Sequence, residues 1–199
     1  MKDTPKGMRL HIGLFGRRNV GKSSLLNALT RQQVSIVSDV PGTTTDPVEK
    51  PMELLPLGPV LFIDTAGVDD TGLLGELRVE RTRAVLRRTD LGVIITTTTE
   101  PWGEYETTLA AQFRELGIPF LAVLNKADAG EPPHALLEHL KEELVTAVIT
   151  STHTGRGISE LRQALITAAP EDYVNRPTLV ADLVPPGESA ILVVPIDKE

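Results

Sequence analysis

The chain has 199 residues, of which 41% are hydrophobic and 24% charged, as is usual for a globular protein with a sizeable core. Its net charge of −7 predicts no general attraction to nucleic acid. The absence of cysteine excludes disulfides, thiol nucleophiles and cysteinyl metal clusters within these residues. The sequence pattern predicts neither a secretory signal nor a membrane span, so we expect a cytoplasmic protein with no membrane partner.

Apolar runs alternate with helical periodicity along most of the chain, which predicts an α/β fold. The expected architecture is a mainly parallel six-stranded sheet flanked by about five helices. The clearest strands are predicted at residues 9–15, 59–64, 91–98, 119–124 and 146–150. The helices are predicted at residues 22–32, 75–89, 105–116, 134–144 and 158–168. Residues 34–51, rich in Thr, Pro and Gly, are predicted to form a long functional loop.

The alternation stops near Pro170, which indicates a domain boundary. Residues 170–199 carry five prolines and one apolar, strand-like run at 190–195. We therefore predict one α/β domain over residues 1–170. Residues 171–199 are predicted to be a linker and the first strand of an incomplete second domain.

A phosphate-binding loop is predicted at residues 16–23, GRRNVGKS, which match GxxxxGKS between a predicted strand and a predicted helix. Glycines allow backbone N–H groups to surround phosphates, and the following helix N-terminus adds a partial positive charge. Lys22 would face the outer phosphates, and the Ser23 hydroxyl is a suitable ligand for Mg²⁺. The predicted nucleotide contacts here are Gly16, Arg17, Arg18, Asn19, Val20, Gly21, Lys22, Ser23 and Ser24.

Two further segments are expected to reach the terminal phosphate. DTAG, at residues 64–67, ends an apolar strand, so that Asp64 would face Mg²⁺ and the Gly67 N–H would face the phosphate. A plain strand-ending turn is the alternative for this tetrapeptide. In the loop PGTTTD, Thr44 is expected to reach Mg²⁺, and ordering of this loop would report the nucleotide state.

Guanine recognition is predicted at NKAD, residues 125–128. The Asp128 carboxylate can accept hydrogen bonds from guanine N1–H and the 2-amino group, and adenine has neither donor. Asn125 would bridge the base and the phosphate loop, while the Lys126 stem would lie over the base. Ser151 and Thr152 follow the last strand, where Ser151 could orient Asp128. A Ser/Thr-rich loop that caps the next helix explains these two residues almost as well.

Together these motifs predict a P-loop NTPase with a Ras-like GTPase fold that binds GTP and GDP. GRRNVGKSSLLNAL, SIVSDVPGTTTD and IDTAGVDD resemble motifs of the tRNA-modification GTPases, a group related to translation factors. The resemblance implies GTP hydrolysis that depends on Lys22, Thr44, Gly67 and Asn19. Asn19 would ligate K⁺ together with backbone carbonyls near residues 38–40, in place of an arginine finger. A capping or loop hydrogen bond is the alternative role for Asn19.

Turnover is expected to be slow. Val68 occupies the position where small signalling GTPases carry the glutamine that orients the attacking water. Asp69 and Glu76 are alternative candidates for placing that water. Arg17 and Arg18 are expected to be solvated loop charges rather than arginine fingers.

A narrower resemblance comes from DPVEKPMELLPLGPV and DLVPPG, which are similar to the FeFe-hydrogenase maturation GTPases (HydF). That family combines a GTPase domain, a dimerisation domain and a cluster domain with Cys and His ligands. The resemblance implies that residues 1–170 are the GTP-binding domain and that residues 171–199 are a linker and the first strand of the dimerisation domain. The resemblance implies a scaffold and carrier of the hydrogenase diiron subcluster, which works with the radical-enzyme maturases and the hydrogenase. Its iron–sulfur cluster would then lie outside this chain. The full-length protein would be a homodimer and this fragment a monomer.

Two alternatives to the hydrogenase role stay open. One is a binding switch, in which the bound GTP or GDP sets the affinity for a partner and hydrolysis is incidental. The other is an RNA-acting GTPase of tRNA modification or ribosome assembly, against which the acidic net charge argues.

Overall fold

A computed structural model describes residues 9–31, 48–65, 84–100 and 102–174. The strands are β1 (Leu10–Phe15), β2 (Val48–Leu54), β3 (Gly58–Asp64), β4 (Leu91–Thr97), β5 (Phe120–Asn125) and β6 (Ala147–Ile149). The helices are α1 (Lys22–Arg31), α2 (Glu104–Glu115), α3 (His134–Glu142), α4 (Ile158–Ala168) and α5 (Glu171–Val174), and residues 84–86 are also helical. No helix within these ranges is both long and apolar enough to cross a membrane.

The six strands form one sheet in the order β2-β3-β1-β4-β5-β6. β2 runs antiparallel to β3, and every other neighbouring pair is parallel. The predicted α/β fold with a mainly parallel six-stranded sheet is therefore confirmed. Because the parallel strands share one direction, the carboxyl ends of β1, β3, β4, β5 and β6 lie at one edge of the sheet, where α/β proteins bind ligands.

The predicted loop over residues 34–51 is wrong at its carboxyl end, since β2 begins at Val48. In β2, Met52 and Leu54 are buried while Glu53 between them is exposed, which is the alternation of a strand with one covered face. Pro51 is compatible with this strand because β2 lies at the sheet edge, where proline is tolerated within sheets.

The core consists of apolar layers on both faces of the sheet. In β1, Leu14 packs in the layer that includes α1 and α4, and the next residue, Phe15, packs in the layer that includes α2. Phe15 meets Phe113 of α2 edge to face, with ring centroids 5.3 Å apart. Because side chains alternate along a strand, a strand covered on both faces has a continuous apolar sequence. This explains why β1, β4 and β5 were recognisable as buried strands.

The predicted linker begins with the short helix α5. Tyr173 of α5 packs against the large core layer, and its hydroxyl donates a hydrogen bond to Asp90 Oδ2 at 3.0 Å. Residues 171–174 therefore pack onto the predicted GTP-binding domain. Residues 175–199, which include the strand predicted at 190–195, lie outside the described residues, so the second domain stays a prediction.

Candidate nucleotide site

The predicted motifs converge at the carboxyl edge of the parallel strands. Gly16 follows β1, Asp64 ends β3, Asn125 ends β5, and Ser151 comes shortly after β6. Sheet register aligns two of these strand ends with their neighbours, because Leu14 pairs with Asp64 and Thr97 pairs with Asn125. Segments that are far apart in the sequence therefore form one continuous surface.

Two glycines of the predicted phosphate loop are fixed by close packing. A Cβ at Gly16 would lie 2.2 Å from the backbone oxygen of Ile95, which no side chain could tolerate. Gly21 has φ +97°, and a Cβ there would lie 2.4 Å from Asn125 Nδ2. The loop is thus packed against β4 at its beginning and against the predicted guanine-binding segment at its end.

Lys22 begins α1 and is 5% exposed. Its ammonium donates hydrogen bonds to the carbonyl of Gly16 and to the carbonyl of Arg17, the latter at 2.8 Å. The loop therefore curls around this cation. The first N–H groups of α1 have no partner earlier in the helix, so together with Lys22 they form an electropositive surface suited to phosphate oxygens.

Ser23 and Asp64 are in contact, although 41 positions separate them. The Ser23 hydroxyl donates a hydrogen bond to Asp64 Oδ2 at 2.8 Å. A hydroxyl and a carboxylate beside a phosphate loop are the hard oxygen donors that Mg²⁺ prefers, so this pair fits the predicted ion. The third predicted ligand, Thr44, lies outside the described residues.

Asn19 lies in the left-handed region of backbone space, with φ +64°. Asparagine tolerates this conformation better than most residues, and here its side chain is exposed at the loop surface. An accessible amide oxygen fits a weakly bound cation such as K⁺. The carbonyls near residues 38–40 that would complete the site lie outside the described residues.

Asn125 connects three segments of the candidate site. It is fully buried; its Nδ2 donates to the Val20 carbonyl at 2.9 Å, and its Oδ1 accepts from Thr150 Oγ1 at 3.1 Å. The phosphate loop is thereby held to the ends of β5 and β6. The predicted link from Asn125 to the phosphate loop is present in this geometry, and its contact with the base stays a prediction.

The next residues form a strained turn that presents Asp128. Lys126 has φ +62°, an unfavourable conformation for a residue with a side chain, and its carbonyl accepts from Thr98 Oγ1 at 3.3 Å and from Ala129 N at 2.8 Å. The hydrogen bond from Ser151 lowers the pKa of Asp128, and a backbone hydrogen bond acts in the same direction. The exposed carboxylate is thus an ionised acceptor, as guanine recognition requires.

Ser151 is fully buried and organises the loop after β6. Its hydroxyl oxygen accepts from Thr154 N at 3.2 Å while its hydrogen is directed to Asp128. α4 begins after Gly157 with no side-chain cap, so the helix-capping alternative for Ser151 and Thr152 is not supported. Thr152 lies half-buried in this loop.

Arg17 is not the solvated charge that the sequence suggested. Its Nη2 donates to Glu106 Oε2 at 2.6 Å, and Glu106 is fully buried. Sequence reasoning missed Glu106 because the two residues lie 89 positions apart. The glycine before α2 and the acid three positions later indicate a helix N-terminus, but neither indicates a contact with the phosphate loop. Arg18 is exposed.

Several predicted residues cannot be placed in this site. Gly67, Val68, Asp69 and Glu76 lie outside the described residues, as Thr44 does. Their predicted roles at the terminal phosphate and the attacking water stay predictions.

Comparison with known proteins places this geometry among GTPases. The family model described as "50S ribosome-binding GTPase" matches residues 11–126. The tRNA modification GTPase MnmE of Geobacillus thermodenitrificans is 37% identical over 155 residues, which make up 76% of this chain and 32% of that protein. MnmE of a Synechocystis strain is 34% identical over 158 residues, 79% of this chain and 33% of that protein. The chain therefore spans about a third of the length of these relatives.

Solved structures agree with this placement. Aquifex aeolicus Era bound to GDP·AlF₄⁻ has 28% sequence identity and a TM-score of 0.64, covering 80% of this chain and 56% of that chain. Era in complex with MgGDPNP and nucleotides 1506–1542 of 16S ribosomal RNA has 27% identity and a TM-score of 0.64, covering 87% of this chain and 60% of that chain.

Proposed function

Since the chain belongs to the 50S ribosome-binding GTPase family, whose relatives hydrolyse GTP, we propose that it is a slow GTPase stimulated by K⁺. The observation that carries guanine specificity is the Asp128 carboxylate, which the buried Ser151 hydroxyl orients and whose pKa that hydrogen bond lowers. Asn125 joins this acceptor to the phosphate loop through Val20, so the base and the phosphates would be positioned by one rigid unit.

The remaining groups would act on the phosphates. Lys22 and the N–H groups of the loop would bind their oxygens, while Ser23, Asp64 and Thr44 would hold Mg²⁺. Mg²⁺, when bound, would neutralise charge on the outer phosphates. K⁺, held by Asn19 and the carbonyls near residues 38–40, would supply positive charge in the role of an arginine finger. With Val68 unable to orient water, turnover without K⁺ should be slow.

Hydrolysis in KCl and in NaCl at equal ionic strength, with ATP as the control nucleotide, tests this proposal. We expect K⁺ to stimulate GTP hydrolysis roughly tenfold or more, a part of what an arginine finger supplies. Asn19→Ala should abolish the stimulation. Asn27→Ala, which removes an exposed asparagine of α1, should retain it. Equal turnover in both salts would contradict the potassium mechanism.

For the wider role, we propose that this chain is the GTPase part of a scaffold that matures FeFe-hydrogenase. Support comes from the resemblance of residues 46–60 and 182–187 to that family. The first of these segments includes β2 and the turn into β3, where Leu55 is 65% exposed and accessible to a partner. The radical-enzyme maturases and the hydrogenase would be its partners, and an iron–sulfur cluster would be held elsewhere in a longer, dimeric protein.

An RNA-acting role is the second candidate, and the comparisons favour it. The curated relatives are tRNA modification GTPases, and one Era structure contains 16S ribosomal RNA. This conflicts with the expectation, drawn from the net charge of −7, that no nucleic acid is bound.

Affinity measurements with matched GDP- and GTP-analogue states separate the two roles. RNA binding that weakens steeply with salt would favour the RNA-acting role. Binding of the purified radical-enzyme maturases that depends on the nucleotide, without RNA binding, would favour hydrogenase maturation. The same comparison tests the switch alternative, in which partner affinity changes with the nucleotide whatever the hydrolysis rate.

A further inference from the structure

A buried acid joins helix α2 to the phosphate loop. Glu106 in the first turn of α2 has no exposed surface, and its Oε2 accepts hydrogen bonds from Arg17 Nη2 at 2.6 Å and from Gly103 N at 3.0 Å. Its Oε1 is also buried and finds no hydrogen-bond partner among the residues that the structure describes. Both contacts therefore converge on a single carboxylate oxygen.

Helix capping alone does not account for this burial. A carboxylate at the third position of a helix can accept the capping N–H while it stays in water, whereas desolvating a charge is costly unless it is paired. The guanidinium of Arg17, whose side chain is 37% exposed, supplies that pairing. Breaking such a pair leaves an uncompensated buried charge, so the pair strongly restricts where Arg17 can lie.

The backbone of Arg17 in turn holds the Lys22 ammonium of the phosphate loop. The carbonyl of Arg17 accepts a hydrogen bond from Lys22 Nζ at 2.8 Å, and the preceding carbonyl, that of Gly16, accepts another. A displacement of Arg17 would therefore move the carbonyls that position the Lys22 ammonium. Within the described residues, Arg17 thus links Glu106 to this cation.

We propose that Glu106 is a positioning residue of the nucleotide site. By holding Arg17, it fixes the start of the phosphate loop and the placement of Lys22, and so raises the affinity for the phosphates of GTP and GDP without contacting them. The pair also neutralises Arg17, which explains why this arginine need not act on the phosphates. The inference rests on the proposed nucleotide site.

Glu106→Gln is the informative variant, because glutamine can still accept the capping hydrogen bond of Gly103 while the charge is lost. Glu104→Gln is the matched control, since it removes an exposed acid from the same helical turn. The measurements are the Kd for a fluorescent GDP analogue, KM and kcat for GTP in KCl, and the Tm without nucleotide.

We expect Glu106→Gln to raise Kd and KM about tenfold with kcat within about twofold, as fits the coupling of a buried charged pair. Arg17→Met should have the same effect, and the double variant should be no worse than either single one. Arg17→Lys, which keeps the charge, should recover much of the affinity. Glu104→Gln should bind like the wild type.

Three results would overturn the inference. The first is wild-type Kd and KM in Glu106→Gln while only Tm falls, which would leave Glu106 a purely structural role. The second is additive losses in the double variant, which would show that the two residues act independently. The third applies if Glu106→Gln does not fold: Arg17→Met then binds the GDP analogue with wild-type affinity. Failure of the wild-type chain to bind the GDP analogue would instead remove the nucleotide site itself, and the inference with it.

Discussion

The Ser151 hydroxyl donates a hydrogen bond to Asp128 Oδ1 at 2.5 Å, across the two loops that form the predicted guanine site. This hydrogen bond is the largest cause that lowers the pKa of Asp128 below its ordinary value of 3.8. The donor is fully buried and the acceptor is exposed. A buried group thus orients a carboxylate at the surface and favours its ionised form, at a place that the guanine base can reach.

The first prediction concerns the acid limit of nucleotide binding. The contribution of the Asp128 carboxylate is present above its pKa and is lost as pH falls through it. Because Ser151 lowers that pKa, Ser151→Ala should raise it towards 3.8 and move the loss of GDP binding to higher pH. An NMR titration of the Asp128 carboxyl carbon, with GDP affinity measured against pH, checks this. Ser159→Ala, at an exposed serine of α4, is the control, and identical titrations would contradict the prediction.

Guanine specificity should depend on the charge of Asp128. Asp128→Asn is expected to weaken GDP binding about 100-fold, since the amide places an N–H donor where the carboxylate would accept from guanine. ATP binding should not improve. Calorimetric titration with both nucleotides measures the effect. Glu131→Gln, which removes a nearby exposed carboxylate paired with Arg156, should leave GDP affinity within about twofold of wild type.

Gly21→Ala should lower the unfolding free energy by more than the strain of its backbone conformation explains. Both Gly21 and Gly117 have positive φ, but only at Gly21 would a Cβ meet a neighbour, Asn125 Nδ2 at 2.4 Å. Gly117→Ala should cost about 1–2 kcal/mol of unfolding free energy, the price of left-handed alanine. Gly21→Ala should cost more and should weaken GDP binding. Urea unfolding of both variants measures the difference, and equal losses would show that the contact with Asn125 is unimportant.

The hydrogen bonds of Asn125 should be measurable as stability in the absence of nucleotide. Thr150→Val removes one donor with little change of shape, so we expect a loss of about 1 kcal/mol in unfolding free energy. Asn125→Ala leaves both the Val20 carbonyl and the Thr150 hydroxyl without their partner, and about 3 kcal/mol should be lost. Urea titrations at fixed pH test this ranking. A smaller loss for Asn125→Ala than for Thr150→Val would contradict it.

The sequence predicted most of the fold because buried parallel strands have continuous apolar sequences and amphipathic helices have a distinct period. It failed at β2, where Thr, Pro and Gly in the preceding loop suggested that the loop continued. The alternation of Met52, Glu53 and Leu54 was a weak local signal. What makes this segment a strand is its antiparallel pairing with β3 along its whole length.

The sequence by itself determined the kinds of chemical groups at the candidate site and the strands that they follow. Each motif is a short run of neighbouring residues, so its local geometry can be predicted from the sequence. Only the tertiary structure decided which distant groups meet: the burial of Glu106 against Arg17, and the contacts of Asn125 with Val20 and Thr150. The physical reason is that a buried polar group needs a hydrogen-bond partner, and the packing of the sheet decides which residue supplies it. The number of residues between two partners in the sequence does not show whether they are in contact.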